Sequence, residues 1–283
     1  MTTTKPLIGF IGQGYVGKNY ADDFEARGYP VVRYSLEEPY VANKDRIAEC
    51  DIVLIAVPTP TTPEGFDASI VESALALVGE GKVAVIKSTV LPGTTSRFQE
   101  KYPNRIIFFS PEFLRELTAA EDAAHPFSTI VGLAADTPEH QAAAQVLLQV
   151  LPSASFTHTC TSTEAEFIKY AQNTDGYVNI VYFNILHDLA KALGADWERI
   201  LPALQADPDI PSRFANPVHK SGRGAGGHCL VKDFAALEAL HGKLLPADAR
   251  GHAVMKALSD KNRELLVESK KDLDIVKGVY GDK

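Results

Sequence analysis

The densest chemistry in this 283-residue chain lies in twelve residues, Gly222-Arg223-Gly224-Ala225-Gly226-Gly227-His228-Cys229-Leu230-Val231-Lys232-Asp233. Four glycines in six positions suit a backbone that turns tightly and comes close to a ligand. After Cys229 the apolar residues Leu230, Phe234, Leu237 and Leu240 keep a helical spacing. The cysteine therefore falls at or just before a helix N-terminus, where the dipole favours thiolate over thiol. Asp233, four residues on, shares that helix face. A thiol, the neighbouring His228 and a carboxylate one turn away have the makings of a nucleophile site. The competing reading is a buried structural cysteine behind a flexible loop, and this stretch alone leaves both open.

A second cluster opens the chain. The apolar run Leu7-Ile8-Gly9-Phe10-Ile11 leads into Gly12-Gln13-Gly14-Tyr15-Val16-Gly17, then a helical segment with Tyr20 and Phe24, then the strand Val31-Val32-Arg33-Tyr34. Strand, Gly-x-Gly-x-x-Gly, helix and strand make the context a dinucleotide fingerprint needs. Its glycines let a pyrophosphate reach backbone amides at the helix N-terminus, with Tyr15 and Val16 in the first turn. The second strand ends on Ser35 where an acidic ribose ligand is usual, with Arg33 nearby and Glu37-Glu38 beyond. A serine with an arginine suits a 2′-phosphate, so NADP stays open beside NAD. The alternative is a solvent-facing Arg33 with Glu37 on the ribose.

The elements that must position these groups follow in alternation. Apolar strands end in Pro58-Thr59-Pro60, in Lys87-Ser88-Thr89-Val90 and in Ser110-Pro111-Glu112-Phe113-Leu114-Arg115-Glu116. Fully apolar runs separated by helices predict a parallel sheet covered on both faces, with ligands beyond the carboxyl ends of its strands. Ser128-Thr129-Ile130-Val131-Gly132 and a helix over 139–151 complete that layer. Thr163-Glu164-Ala165-Glu166 reads as a capping box opening a helix of about 30 residues that Gly194 stops. Such length suggests a spine between domains or a dimer contact. Glu166, Lys169 and Asn173 share one of its faces, and an exposed Lys169 paired with Glu166 is the plainest reading. A short helix over 196–205, a proline-rich loop over 207–217, the glycine stretch and its helix, and a last helix over 246–268 follow, with a frayed charged tail. The fold expected is α/β, a Rossmann-like doubly wound parallel sheet (1–157) followed by a mainly helical domain with a long central helix (158–283).

The net charge of −8 argues against nucleic acid or an anionic membrane as partner. Three cysteines, Cys50, Cys160 and Cys229, are no disulfide framework and fit a reducing cytoplasm. No leader pattern and no apolar run of transmembrane length is present, and no metal-ligand spacing stands out.

Taken together the motifs resemble the nucleotide-sugar 6-dehydrogenases, the family of UDP-glucose 6-dehydrogenase. The resemblance rests on Gly-Gln-Gly-Tyr-Val-Gly at 12–17, Val-Pro-Thr-Pro at 57–60, Lys-Ser-Thr-Val at 87–90, Ser-Pro-Glu-Phe-Leu-Arg-Glu at 110–116, Glu-x-x-Lys-x-x-x-Asn at 166–173 and Gly-Gly-His-Cys-x-x-Lys-Asp at 226–233. It implies oxidation of a sugar C6 alcohol to a carboxylate by two hydride transfers to NAD, best matched by UDP-glucose going to UDP-glucuronate. Cys229 matches the nucleophile that passes through a thiohemiacetal and a thioester. Lys169 and Asn173 match the pair that stabilises oxyanion character. Asp233 matches the carboxylate that holds the catalytic water and tunes Lys169, and Glu112 the base towards that water. Thr89 matches a threonine near the water and the nicotinamide. Pro58, Thr59, Glu116 and Lys232 fall to the cofactor, and Phe113, Leu114, Phe214 and Gly226 to the substrate. A homodimer on the long helix is the implied assembly.

The departures matter as well. Family members typically carry a C-terminal nucleotide-binding domain after the last helix, and the sequence ends at Lys283. The expectation is a minimal enzyme that lacks it, or one that borrows it from a separate nucleotide-binding subunit. Asp209 stands where a loop arginine is usual, Leu117 replaces a small residue, and Pro126-Phe127-Ser128 lacks an arginine. His228 resembles the branch acting on N-acetylated sugars, whereas Lys232-Asp233 resembles the UDP-glucose branch. Two other readings remain: a hydroxyacid dehydrogenase of the 6-phosphogluconate type, and a non-catalytic dinucleotide-binding subunit.

Overall fold

A computed structural model describes residues 5–281. In chain order the elements are β1 (Ile8–Ile11), α1 (Tyr15–Ala26), β2 (Val31–Tyr34), a 3-10 segment (Val41–Glu49), β3 (Ile52–Ile55), β4 (Thr61–Thr62), β5 (Gly65–Phe66), α2 (Ser69–Leu75) and β6 (Val83–Ile86). Then come α3 (Thr94–Lys101), β7 (Ile106–Phe109), α4 (Ala119–Ala124), β8 (Ser128–Leu133), α5 (Pro138–Val150), β9 (Phe156–Thr161) and α6 (Ser162–Ala192). The chain ends with α7 (Trp197–Ala206), β10 (Val218–His219), β11 (Gly222–Arg223), α8 (His228–Leu244), α9 (Ala249–Glu268) and α10 (Leu273–Tyr280). It divides into two compact units. One runs to Thr59 and resumes over Asp67–Lys169; the other is Pro60–Phe66 with Tyr170–Lys283.

The first unit is built on a seven-stranded sheet in the order β2-β1-β3-β6-β7-β8-β9. β1 and β3 bury all four of their residues, and β2, β6 and β7 bury three of four, as the unbroken apolar runs require of strands covered on both faces. From β1 the chain steps to β2 on one side and to β3 on the other, so the strand order reverses beside β1. The crevice beyond the carboxyl ends at such a reversal is where open α/β sheets take ligands. Phe10, Phe24, Leu54, Phe108 and Leu147 lie in one core cluster that joins the sheet to α1 and α5.

Two features of this layer correct the sequence reading. β8 runs antiparallel to β7 and meets it only through Phe108 with Leu133 and Phe109 with Gly132. The six-residue α4 rises only about 9 Å, too little to return the chain to the start of a parallel neighbour. β9 follows as a further strand, parallel to β8 over six residue pairs. Its residues are mostly exposed, so it lacks the apolar run that marks the other strands.

The capping box also sits two residues earlier than Thr163–Glu166. Thr161 Oγ1 accepts from Glu164 N while the Glu164 carboxylate accepts from Thr161 N and Oγ1, so α6 starts at Ser162. Gly132 permits this start, because a Cβ there would meet the Ala165 Cβ at 2.6 Å.

In the second unit the 31-residue α6 continues as its longest element. Tyr177 and Val181 on α6 pack with Ala225 and with Phe234 of α8. The Tyr177 and Phe234 rings stack at 3.9 Å between centroids. The tail expected to fray forms α10, whose Val276 and Val279 bury against Val231 and Leu266. Asp248 caps α9 by accepting from Gly251 N, which places its start at Ala249. Among the described residues no helix is long and apolar enough to cross a membrane, and no group of metal-ligating side chains forms.

Candidate active site

At the end of β1, a Cβ on Gly12 would lie 2.1 Å from Ala56 O, and one on Gly17 would lie 2.0 Å from Gly12 O. These two glycines answer to close backbone packing. Gly14 differs: a Cβ there meets nothing within 4 Å, and Gly14 is the N-cap residue of α1, whose first turn holds no acidic side chain. An open backbone at a bare helix N-terminus is the cradle a pyrophosphate needs, so the residues present fit a dinucleotide.

The neighbouring turn Val57-Pro58-Thr59 is pinned by Ser88, whose Oγ accepts from Val57 N at 2.8 Å and donates to Val57 O at 2.7 Å. Pro58 is exposed beside a buried Thr59, and Thr89 is half-buried. Tyr15 and Glu116 are exposed.

Arg33 is not solvent-facing, the alternative the sequence left open beside a cofactor contact. Its side chain is 9% exposed and bridges Asp22 and Glu25 of α1 at 2.7 Å each. A guanidinium already neutralised by two carboxylates is a poor receptor for a 2′-phosphate, which favours NAD over NADP. Ser35 closes a local turn by donating to Glu37 O at 3.0 Å.

The carboxyl ends of β6 and β7 hold a cluster of charges in the first unit. Lys169, 7% exposed, donates from Nζ to Glu112 O at 2.6 Å and pairs with the Glu112 carboxylate at 3.2 Å. The other Glu112 oxygen accepts from Leu114 N at 2.8 Å, so the carboxylate is fixed at both ends. The Phe113 ring lies 5.3 Å from Lys169 Nζ and 5.2 Å from the Phe127 ring. Leu114 packs on the main core.

Glu166 is not the partner of Lys169. It is fully buried, and its oxygens accept from Gly93 N, Thr95 N and Thr95 Oγ1 at 2.6–2.8 Å. It thus caps α3, and burial pushes its carboxyl up to about 7 against the pull of those donors.

Sequence reasoning passed over Lys87. It is 5% exposed, donates to Ser110 Oγ at 3.1 Å and sits 4.6 Å over the Tyr20 ring. Burial pushes its ammonium down to about 8; Glu112 opposes that shift and Lys169 adds to it. A lysine directly after a wholly apolar strand was the available signal.

The second unit holds the thiol. Cys229 is the second residue of α8 and is exposed. Asp233, one turn on and 1% exposed, accepts from Asn173 Nδ2 at 2.6 Å and pairs with Lys232. Phe214 lies against Gly176. The glycine stretch ahead of the thiol is held from outside. Asn262 accepts from Ala225 N and donates to Ala225 O, Ser269 Oγ accepts from Arg223 N, Lys271 Nζ donates to Gly224 O, and Asp272 accepts from Gly227 N. Gly226 answers to this packing, since a Cβ there would meet Asp272 Oδ2 at 2.1 Å. Each unit therefore assembles its own set: Glu112 with Lys169, and Asn173 with Asp233 on the helix that carries Cys229.

The sequence model of the UDP-glucose/GDP-mannose dehydrogenase family's NAD binding domain matches residues 36–150, and that of its central domain matches residues 163–263. The chain belongs to this family. A UDP-glucose 6-dehydrogenase of Haloferax volcanii is 29% identical over 280 residues, covering 81% of this chain and 64% of that protein. A solved UDP-glucose dehydrogenase from Pyrobaculum islandicum superposes with a TM-score of 0.78 at 28% identity, covering 93% of this chain and 69% of its own. The 3-hydroxyisobutyrate dehydrogenase of Mycobacterium tuberculosis shares the fold over 98% of both chains, with a TM-score of 0.72 at 15% identity. The chain thus spans just under two thirds of the length of the Haloferax dehydrogenase. The glycine motif at 12–17 lies ahead of the segment matched to the NAD binding domain, and its reading as part of the family's cofactor site rests on the geometry of Gly12, Gly14 and Gly17.

Proposed function

We propose that the chain carries out NAD-dependent oxidation of the C6 alcohol of a nucleotide sugar to the carboxylate, with UDP-glucose the first substrate to test. The observation that carries this is Cys229 in the first turn of α8, one turn before a buried Asp233 bonded to Asn173. A structural cysteine would be buried, and this one is exposed. Membership of the family supports the substrate class.

Gly12, Gly14, Tyr15, Val16, Gly17, Pro58, Thr59, Thr89 and Glu116 would hold the NAD, and the family resemblance assigns Lys232 to it as well; when bound it supplies the hydride acceptor. The C6 alcohol first loses a hydride and a proton to become the aldehyde. Cys229 adds through sulfur to the aldehyde carbon, giving a thiohemiacetal, and loss of a second hydride and a proton leaves a thioester on the same sulfur. Water then adds to the thioester carbonyl with Glu112 taking its proton, and the C–S bond breaks to release carboxylate and the thiol. Lys169 and Asn173 donate to the oxygen that gains negative charge. Phe113, Leu114, Phe214 and Gly226 would line the sugar.

A homodimer fits the reading. Val178, Tyr182, Ile185 and Leu189 form an apolar stripe along α6 that Leu193 extends just past its end, and each is at least 36% exposed. We assign the enzyme to the cytoplasm because the mechanism needs Cys229 to stay reduced.

The test is NADH formation at 340 nm with UDP-glucose and a panel of sugar nucleotides, sugar phosphates and hydroxyacids. The expected result is two NADH per substrate, with Cys229→Ser stopping at the aldehyde level or leaving a slowly hydrolysed ester. Carboxylate formed by Cys229→Ser at the wild-type rate would remove the covalent route. Turnover of a hydroxyacid with one NADH would replace the reading.

A further inference from the structure

Residues 222–227 present few side chains with which to hold themselves: Arg223 reaches Asn184 and Asp188 of α6 and pairs with Val218 in β10, and one later segment ties the backbone. Ser269, Lys271, Asn262 and Asp272 bond the backbone of Arg223, Gly224, Ala225 and Gly227 in turn. Lys271 is 4% exposed, and its ammonium also reaches Gly222 O at 3.4 Å, so a buried charge is aimed at loop carbonyls. Asp272 stands in the left-handed region at φ 52° and accepts at 2.7 Å from Gly227 N, the N-cap residue of α8. Directly after it α10 packs Val276 and Val279 with Val231 of α8. The first turn of α8 is thus gripped at its cap and at its flank by the segment 269–280.

We propose that Asp272 is a positioning residue for the thiol, with Lys271 as its companion: by fixing the cap of α8 they set the helix N-terminus against which Cys229 ionises. This rests on the reading of Cys229 as nucleophile. It adds the strap that makes that end of the helix rigid. A frayed cap would lose the aligned amides that favour thiolate. Asn at position 272 keeps an oxygen for Gly227 N, whereas Ala does not.

The experiment is the pH dependence of Cys229 alkylation by iodoacetamide, read by peptide mass spectrometry on the folded full-length chain, alongside kcat and KM with UDP-glucose and NAD. Asp272→Ala is expected to move the alkylation midpoint upward, towards that of the urea-unfolded chain. It should also lower kcat more than tenfold with KM for NAD within twofold. Asp272→Asn is expected to restore both. An unshifted midpoint in folded Asp272→Ala overturns the proposal, and so does an Asn variant as impaired as the Ala one. If Asp272→Ala does not fold, Lys271→Met read the same way decides. A wild-type chain without turnover would sink the nucleophile reading, while the alkylation midpoints would still judge the strap.

Discussion

Lys87 carries a testable electrostatic cost. Its folded value is pushed from 10.5 down to about 8 by burial. A group depressed in this way contributes stability that is complete above its unfolded value and lost as pH falls through its folded one. Wild type should therefore gain on Lys87→Met between about pH 8 and 10.5, by roughly 3 kcal/mol across that window. Urea midpoints of both proteins at pH 7.5, 9 and 10.5 measure this, and parallel curves would show that Lys87 does not titrate there. At the same scale, the catalytic candidates were legible because each sits in a short motif whose residue types announce their chemistry, as Cys229 and Asp233 do. Lys271 and Asp272 were not. Their ties to Gly224 and Gly227 cross more than forty residues of chain and leave no local pattern.

Among the elements, the start of α6 decides more than its own helix. Moving the capping box to Thr161 and Glu164 releases Glu166 to hold α3, an ion that the i, i+3 spacing had given to Lys169. Spacing shows which residues share a face and cannot show which neighbour the face meets. Glu166→Ala should cost roughly 2 kcal/mol at pH 5, because it strands the buried donors of Gly93 and Thr95. Its carboxyl is raised to about 7 by burial, so its contribution is full below 4.5 and lost as pH rises through 7. The thermal-midpoint gap between the two proteins should accordingly narrow from pH 5 to pH 8; a constant gap would contradict it. The strands buried on both faces were plain in the sequence, whereas the exposed β9 has no comparable apolar run, and the helical spacing of Leu273, Val276 and Tyr280 in α10 spans barely two turns behind a charged tract.

For the molecule as a whole, the exposed stripe on α6 makes assembly the first question. If it is the dimer seam, Leu189→Glu should weaken self-association at least tenfold, read by sedimentation velocity across a dilution series, with far-UV circular dichroism unchanged. Unaltered association would move the seam elsewhere. Fold class and family were within reach of the sequence because six ordered motifs span both halves of the chain. The division of the chain was not. Seven residues, Pro60–Phe66, leave the first unit, pair as β4 and β5 against α8 and α10, and hand the chain back at Asp67. No single cut can therefore separate the units: a protease nick or a gene fusion at residue 170 would strip the helical unit of a piece made early in synthesis. Exchange between relatives, natural or engineered, must move both segments together, which ties the inheritance of the thiol-bearing unit to that of the sheet.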